Sequence, residues 1–187
     1  KILLGLTSPT SGEAFVLGEK TGNIQIRKKI AYLPEMPYFP RYLTPLEILD
    51  FYGRLYEIKE KERKEKIYRA LKTVKLSDKK NIKLKEFSKG MLQRVGIAQL
   101  LISDDIELFF LDEPTYGLDP LATKEMRDII LELKDSGKTI FLSSHQINEV
   151  KQNCDRIGIL HNGNMIKESN VSAIKGTLEN YFIKAVL

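Results

Sequence analysis

The run Glu107-Leu108-Phe109-Phe110-Leu111, ending in Asp112-Glu113-Pro114, constrains this chain more than any other feature. A near-continuous apolar run of strand length belongs to a strand covered on both faces, as in a parallel sheet. A helix is predicted from Pro120 to Ser136, stopped by Gly137, and a second strand over Thr139–Ser143. Strand–helix–strand order implies an α/β fold with a mainly parallel sheet. Beyond it, the sequence predicts a helix around Ile147–Asn153 and a hairpin joining Arg156–Leu160 to Met165–Ile166 through Asn162-Gly163.

Upstream the apolar period lengthens. Ile2, Leu3, Leu4 and Leu6 read as the last turns of a buried helix, broken over Thr7–Gly12. Short strands are predicted at Ala14–Leu17 and Ile30–Leu33. Thr44-Pro45-Leu46-Glu47 is a capping box with proline at the first helical position. Ile48, Leu49, Tyr52, Leu55 and Tyr56 share one face of that helix, and Ile67, Ala70, Leu71 and Val74 one face of the next. A helical block from about Pro40 to Glu86 is expected, followed by a helix capped at Ser88.

A length of 187 residues supports one domain with a sizeable core, and 42% hydrophobic against 29% charged residues argues against a disordered chain. The net charge of +5 is scattered, with no basic stripe interleaved with aromatics, so no nucleic-acid partner is expected. The single cysteine, Cys154, excludes an internal disulfide. No apolar run approaches the roughly 18–20 residues of a membrane span, and no signal peptide is read at the start. Any membrane association is expected through a partner.

Ligands of open parallel sheets bind where strands end. Here Ile30–Leu33 leads to Glu35, Leu108–Leu111 to Asp112 and Glu113, and Thr139–Ser143 to Ser144 and His145. An aspartate fixed at a strand end can hold Mg²⁺ through water, and the next carboxylate can orient or deprotonate an attacking water. The same pair can equally be an acidic loop before a helix. Ser88-Lys89-Gly90 at a helix start exposes N–H groups suited to phosphate, although a cap and a tight entry also explain it. Asp119 caps the helix that Pro120 begins, and His145 can donate to a phosphate oxygen or lie half-buried. His161, beside the Asn162-Gly163 turn, is assigned no function, and Gly137-Lys138-Thr139 is a helix stop rather than a phosphate loop.

In order and spacing these pieces resemble the ATP-binding-cassette (ABC) transporter ATPase domain, over essentially the whole chain. The signature resembles Phe87-Ser88-Lys89-Gly90-Met91, Walker B resembles Leu108–Asp112 followed by Glu113, the D-loop resembles Tyr116-Gly117-Leu118-Asp119, and the switch histidine matches His145. The resemblance implies a P-loop NTPase core with an inserted helical subdomain. It would be one domain over residues 1–187, with residues 40–103 the helical subdomain and 104–187 the rest of the core. It implies an ATP hydrolase using ATP and Mg²⁺, with Glu113 and His145 catalytic and Asp112 supporting the metal. Ser88, Lys89 and Gly90 would meet the nucleotide of a second cassette, in a homo- or heterodimer, and Asp119 would couple the two sites. The helical block would dock on a membrane permease, placing the protein at the inner face of the cell membrane, in a form like the exporter-type subclass.

Departures from the pattern also carry expectations. The Q-loop position is Glu35, able to meet Mg²⁺ or water, and Lys89 either aids the phosphates or faces water. No Gly-x-x-x-x-Gly-Lys-Ser/Thr loop occurs in the 187 residues. The resemblance therefore reads as a family member truncated at its N-terminus, impaired in ATP binding. The alternatives are a ribosome- or DNA-associated member of the superfamily and a non-catalytic interaction module.

Overall fold

In a computed structural model describing residues 1–187, the apolar run becomes the middle strand of a three-stranded sheet. The chain divides into two compact units, Lys1–Ser143 and Ser144–Leu187. The first holds strands β1 (Phe15–Val16) and β2 (Glu19–Lys20), a short helix α1 (Ile24–Arg27) and strand β3 (Ile30–Leu33). It continues through helices α2 (Pro45–Leu55), α3 (Glu60–Thr73) and α4 (Lys89–Leu100), strand β4 (Leu108–Asp112), helix α5 (Pro120–Asp135) and strand β5 (Thr139–Ser143). The order β3-β4-β5 is parallel throughout, with Leu33 opposite Leu111, and Leu111 opposite Leu142.

The period of two in a strand sorts this sheet into two faces. Ala31, Leu33, Phe109 and Leu111 enter the large core, with Ile140 and Leu142 packed against it. Phe109 and Leu111 are 1% and 2% exposed, and burying each such side chain contributes about 1.5–3 kcal/mol. On the opposite face Leu108 and Phe110 join Val16 and Ile26 in a smaller cluster. Continuous hydrophobicity thus reflects two different apolar environments.

α4 crosses the large core and is buried along most of its length. Gly96 permits its approach, because a Cβ there would lie 2.5 Å from Leu33 Cδ1. The capping box forms as the sequence predicts: Thr44 Oγ1 accepts from Glu47 N–H at 3.2 Å, and Glu47 Oε2 accepts from Thr44 N–H at 2.7 Å. α2 and α3 are joined by Arg63, which donates to Asp50 Oδ1 at 2.6 Å and to the Ile58 carbonyl at 2.8 Å.

The first residues differ from expectation. Rather than a buried helix they form one turn, in which Leu6 N–H bonds the Lys1 carbonyl and Gly5 N–H the Ile2 carbonyl. With Gly5 at φ 64° this is the hydrogen-bond pair of a helix stop. Ile2, Leu3 and Leu6 are exposed, and only Leu4 packs on the smaller cluster. The strand expected at Ala14–Leu17 is the two-residue β1, which turns back through Leu17 and Gly18, both at positive φ, to pair with β2.

The second unit contains helix α6 (Ile147–Asn153), strands β6 (Arg156–His161) and β7 (Asn164–Asn170) and helix α7 (Leu178–Val186). The hairpin turns at Asn162-Gly163, with φ of 48° and 78°. β7 outruns its expected end at Ile166 because backbone pairing continues through polar Lys167–Asn170, where side-chain hydrophobicity carries no signal. α7, capped by Thr177, packs on both strands. No helix of the protein is long and apolar enough to cross a membrane.

Candidate functional site

Parallel register brings the carboxyl ends of β3, β4 and β5 to one edge, with Asp112 directly opposite Ser143. The Asp112 carboxylate is held on both oxygens. Ser143 Oγ donates to Oδ1 at 2.6 Å, and the Tyr32 hydroxyl donates to Oδ2 at 3.3 Å. Tyr32 shares the sheet face of Phe110 and Asp112, so its phenol reaches along the face to the strand end. Burial, then the charge and hydrogen bond of Asp112, push the Tyr32 phenol above its usual range, so it remains a donor at neutral pH.

Glu113 leaves the strand with φ 46°, the left-handed region that a non-glycine residue enters at a cost of about 1–3 kcal/mol. Its N–H is tied to β5, donating to the Ser143 carbonyl at 3.1 Å and to Ser143 Oγ at 3.3 Å. Tyr116 N–H closes the following turn on the Glu113 carbonyl at 3.0 Å. Both acidic residues are half-buried.

The start of α4 packs beside the loop that follows. Ser88 is exposed and caps the helix, its hydroxyl oxygen accepting from Met91 N–H at 3.3 Å. Gly90 is buried, and a Cβ there would lie 2.8 Å from Ala122 Cβ, so its small size has a packing reason within this chain. Lys89 neither points freely into water nor stands alone. Its ammonium lies 4.7 Å from the Tyr116 ring centroid, a cation–π distance. Asp119 Oδ1 accepts from Ala122 N–H at 2.9 Å, capping α5.

Glu35 lies two residues beyond β3 and is half-buried, with its carbonyl accepting from Gln93 Nε2 of α4 at 2.5 Å. His145 belongs to the second unit, exposed between the end of β5 and α6. The structure therefore brings Asp112 and Glu113 together with Tyr32 and Ser143. It separately brings Lys89 and Gly90 to the segment 116–122. Tyr32 and Ser143 are the residues the sequence reading missed, and the available signal was their place on flanking strands near the acidic end.

No group of three or more His, Cys, Asp or Glu side chains forms a metal cage. Mg²⁺ commonly takes one or two carboxylates and completes its octahedron with water and phosphate oxygens. Asp112, fixed by two neutral donors, fits an ion of that kind arriving with a nucleotide. Ser88, whose hydroxyl proton is not used in its cap, and the N–H groups at the start of α4 are suited to phosphate.

Comparison with known proteins shows the family of the chain. The family model described as ABC transporter matches residues 1–116. An uncharacterised ABC transporter ATP-binding protein of Synechocystis is 45% identical over 97% of this chain and 51% of its own length. The SkfA peptide export ATP-binding protein of Bacillus subtilis is 33% identical over 90% of this chain and 70% of its own length. Among solved structures, a dimeric ATP-binding cassette in a post-hydrolysis state with ADP and Pi superposes with a TM-score of 0.77 at 26% identity. That match covers 91% of this chain and 78% of the other. The chain spans about half the length of the first curated relatives it matches, 51% and 55%.

Proposed function

Because this chain belongs to the ABC transporter ATP-binding family, we propose that it works as the ATP-hydrolysing cassette of a membrane transporter. The observation that carries this reading is the acidic pair at the end of β4. Asp112 is held by two hydrogen bonds, and Glu113 follows it in the left-handed region.

Mg²⁺, which Asp112 would hold through water and which Glu35, beyond the end of β3, would meet, would supply charge neutralisation to the terminal phosphates when bound. Glu113 orients the attacking water and takes its proton, and His145 donates to the γ-phosphate. Ser88, Lys89 and Gly90 face the nucleotide of a second cassette, homologous or identical, and Asp119 couples the two sites across the interface. The solved neighbour's dimeric state with ADP and Pi supports this arrangement. The helical segment 40–103 meets a permease, and the protein works at the cytoplasmic face of the membrane through it. The SkfA peptide export relative supports an export role.

The test is ATP turnover by the whole protein and its Glu113→Gln variant. Loss of a general base costs about 10²–10⁴-fold in rate. The variant should keep nucleotide affinity and accumulate an ATP-dependent dimer, visible by light scattering. Turnover by Glu113→Gln at the rate of the unsubstituted protein would overturn the assignment.

A further inference from the structure

We infer that Tyr32 and Ser143 are positioning residues that clamp Asp112 and join it mechanically to Glu113; this rests on the nucleotide-hydrolysing reading above. The three residues come from three adjacent strands, separated by 80 and 31 positions in sequence. They meet because Asp112 stands opposite Ser143 in register, while Tyr32 lies on the same sheet face two positions earlier.

The direction of each bond is chemically determined. Glu113 N–H can only donate, so Ser143 Oγ accepts from it at 3.3 Å. The serine hydroxyl has one hydrogen, and this goes to Asp112 Oδ1 at 2.6 Å. One hydroxyl therefore bridges the amide of one acidic residue and the carboxylate of the other. On the far side, Tyr32 donates to Oδ2 at 3.3 Å, a longer and weaker bond. Each carboxylate oxygen keeps a second acceptor direction, so the clamp sets the plane of Asp112 without consuming its capacity for a hydrated ion.

Outer-shell donors of this kind change metal affinity by about 10–100-fold when removed. The shorter bond makes Ser143 the stronger half of the clamp. Its exposure predicts little cost to folding when the hydroxyl is deleted. The Glu113 amide would retain its bond to the Ser143 backbone carbonyl at 3.1 Å, which alanine preserves.

The experiment is Mn²⁺ binding to the whole protein, read by electron paramagnetic resonance in the presence of a non-hydrolysable ATP analogue, with urea midpoints recorded alongside. Ser143→Ala should weaken Mn²⁺ binding by about tenfold and Tyr32→Phe by about threefold, with unfolding midpoints nearly unchanged. Ser143→Thr should restore affinity to within about twofold of the unsubstituted protein, because the hydroxyl returns. Unchanged affinity in Ser143→Ala, or failure of Ser143→Thr to rescue, overturns the clamp. An unsubstituted protein that takes up no Mn²⁺ with the nucleotide overturns the functional reading itself, a result distinct from either.

Discussion

Gly53→Ala should destabilise this protein, and the same change should stabilise it once Arg63 is removed. Gly53 lies inside α2, where glycine is about 1 kcal/mol less favourable than alanine. A glycine here has a visible cause. A Cβ at this position would lie 2.6 Å from Arg63 Cγ and 2.5 Å from Arg63 Cδ, against an ordinary carbon–carbon contact of about 3.5–4.0 Å. The stem must therefore move by about 1 Å. It has little freedom to do so, because its guanidinium is tethered to Asp50 at 2.6 Å and to the Ile58 carbonyl at 2.8 Å. Overpacking of this kind costs about 1–3 kcal/mol, so the net change is a loss of about 1 kcal/mol. In an Arg63→Ala background the obstruction is gone, and the next neighbour of the added methyl, Ile102 Cγ2, lies at an ordinary 3.7 Å. Gly53→Ala then gains about 1 kcal/mol from helix propensity alone. The assay is urea unfolding followed by far-ultraviolet circular dichroism over the four members of the cycle, with a coupling near 2 kcal/mol expected. Stabilisation by Gly53→Ala in the unsubstituted protein, or the same sign in both backgrounds, would refute the packing argument.

A further expectation concerns acid. Burial raises the Asp50 carboxyl, but hydrogen bonds and charge from Arg63 and Arg54 outweigh it and hold the group below its usual range. A folded-state pKa below the unfolded one gives stability that is present above the ordinary carboxylate range and lost as pH falls through the folded value. Urea midpoints should fall below about pH 4, and less steeply in Asp50→Asn.

Much of the fold was legible because its signals are local. Ser88, Thr44 and Asp119 cap helices by reaching N–H groups three residues ahead, within a single turn of chain. The strands Ile30–Leu33 and Thr139–Ser143 and the helix Ile147–Asn153 follow from side-chain periodicity and neighbouring breakers. The short α1 was missed, since its signal is only an asparagine cap and four residues. The acidic pair and the signature residues were legible as types at a spacing; what they touch was not.

From the order of residues alone came the alternation of strands and helices, the caps of α2, α4 and α5 and the identity of the acidic pair. Tertiary structure decided that Tyr32 and Ser143 grip Asp112 and that Lys89 rests on Tyr116. The division has one physical cause. Backbone hydrogen bonding and side-chain period act over a few residues, whereas contacts across the sheet depend on strand order and register, which no stretch of sequence specifies by itself.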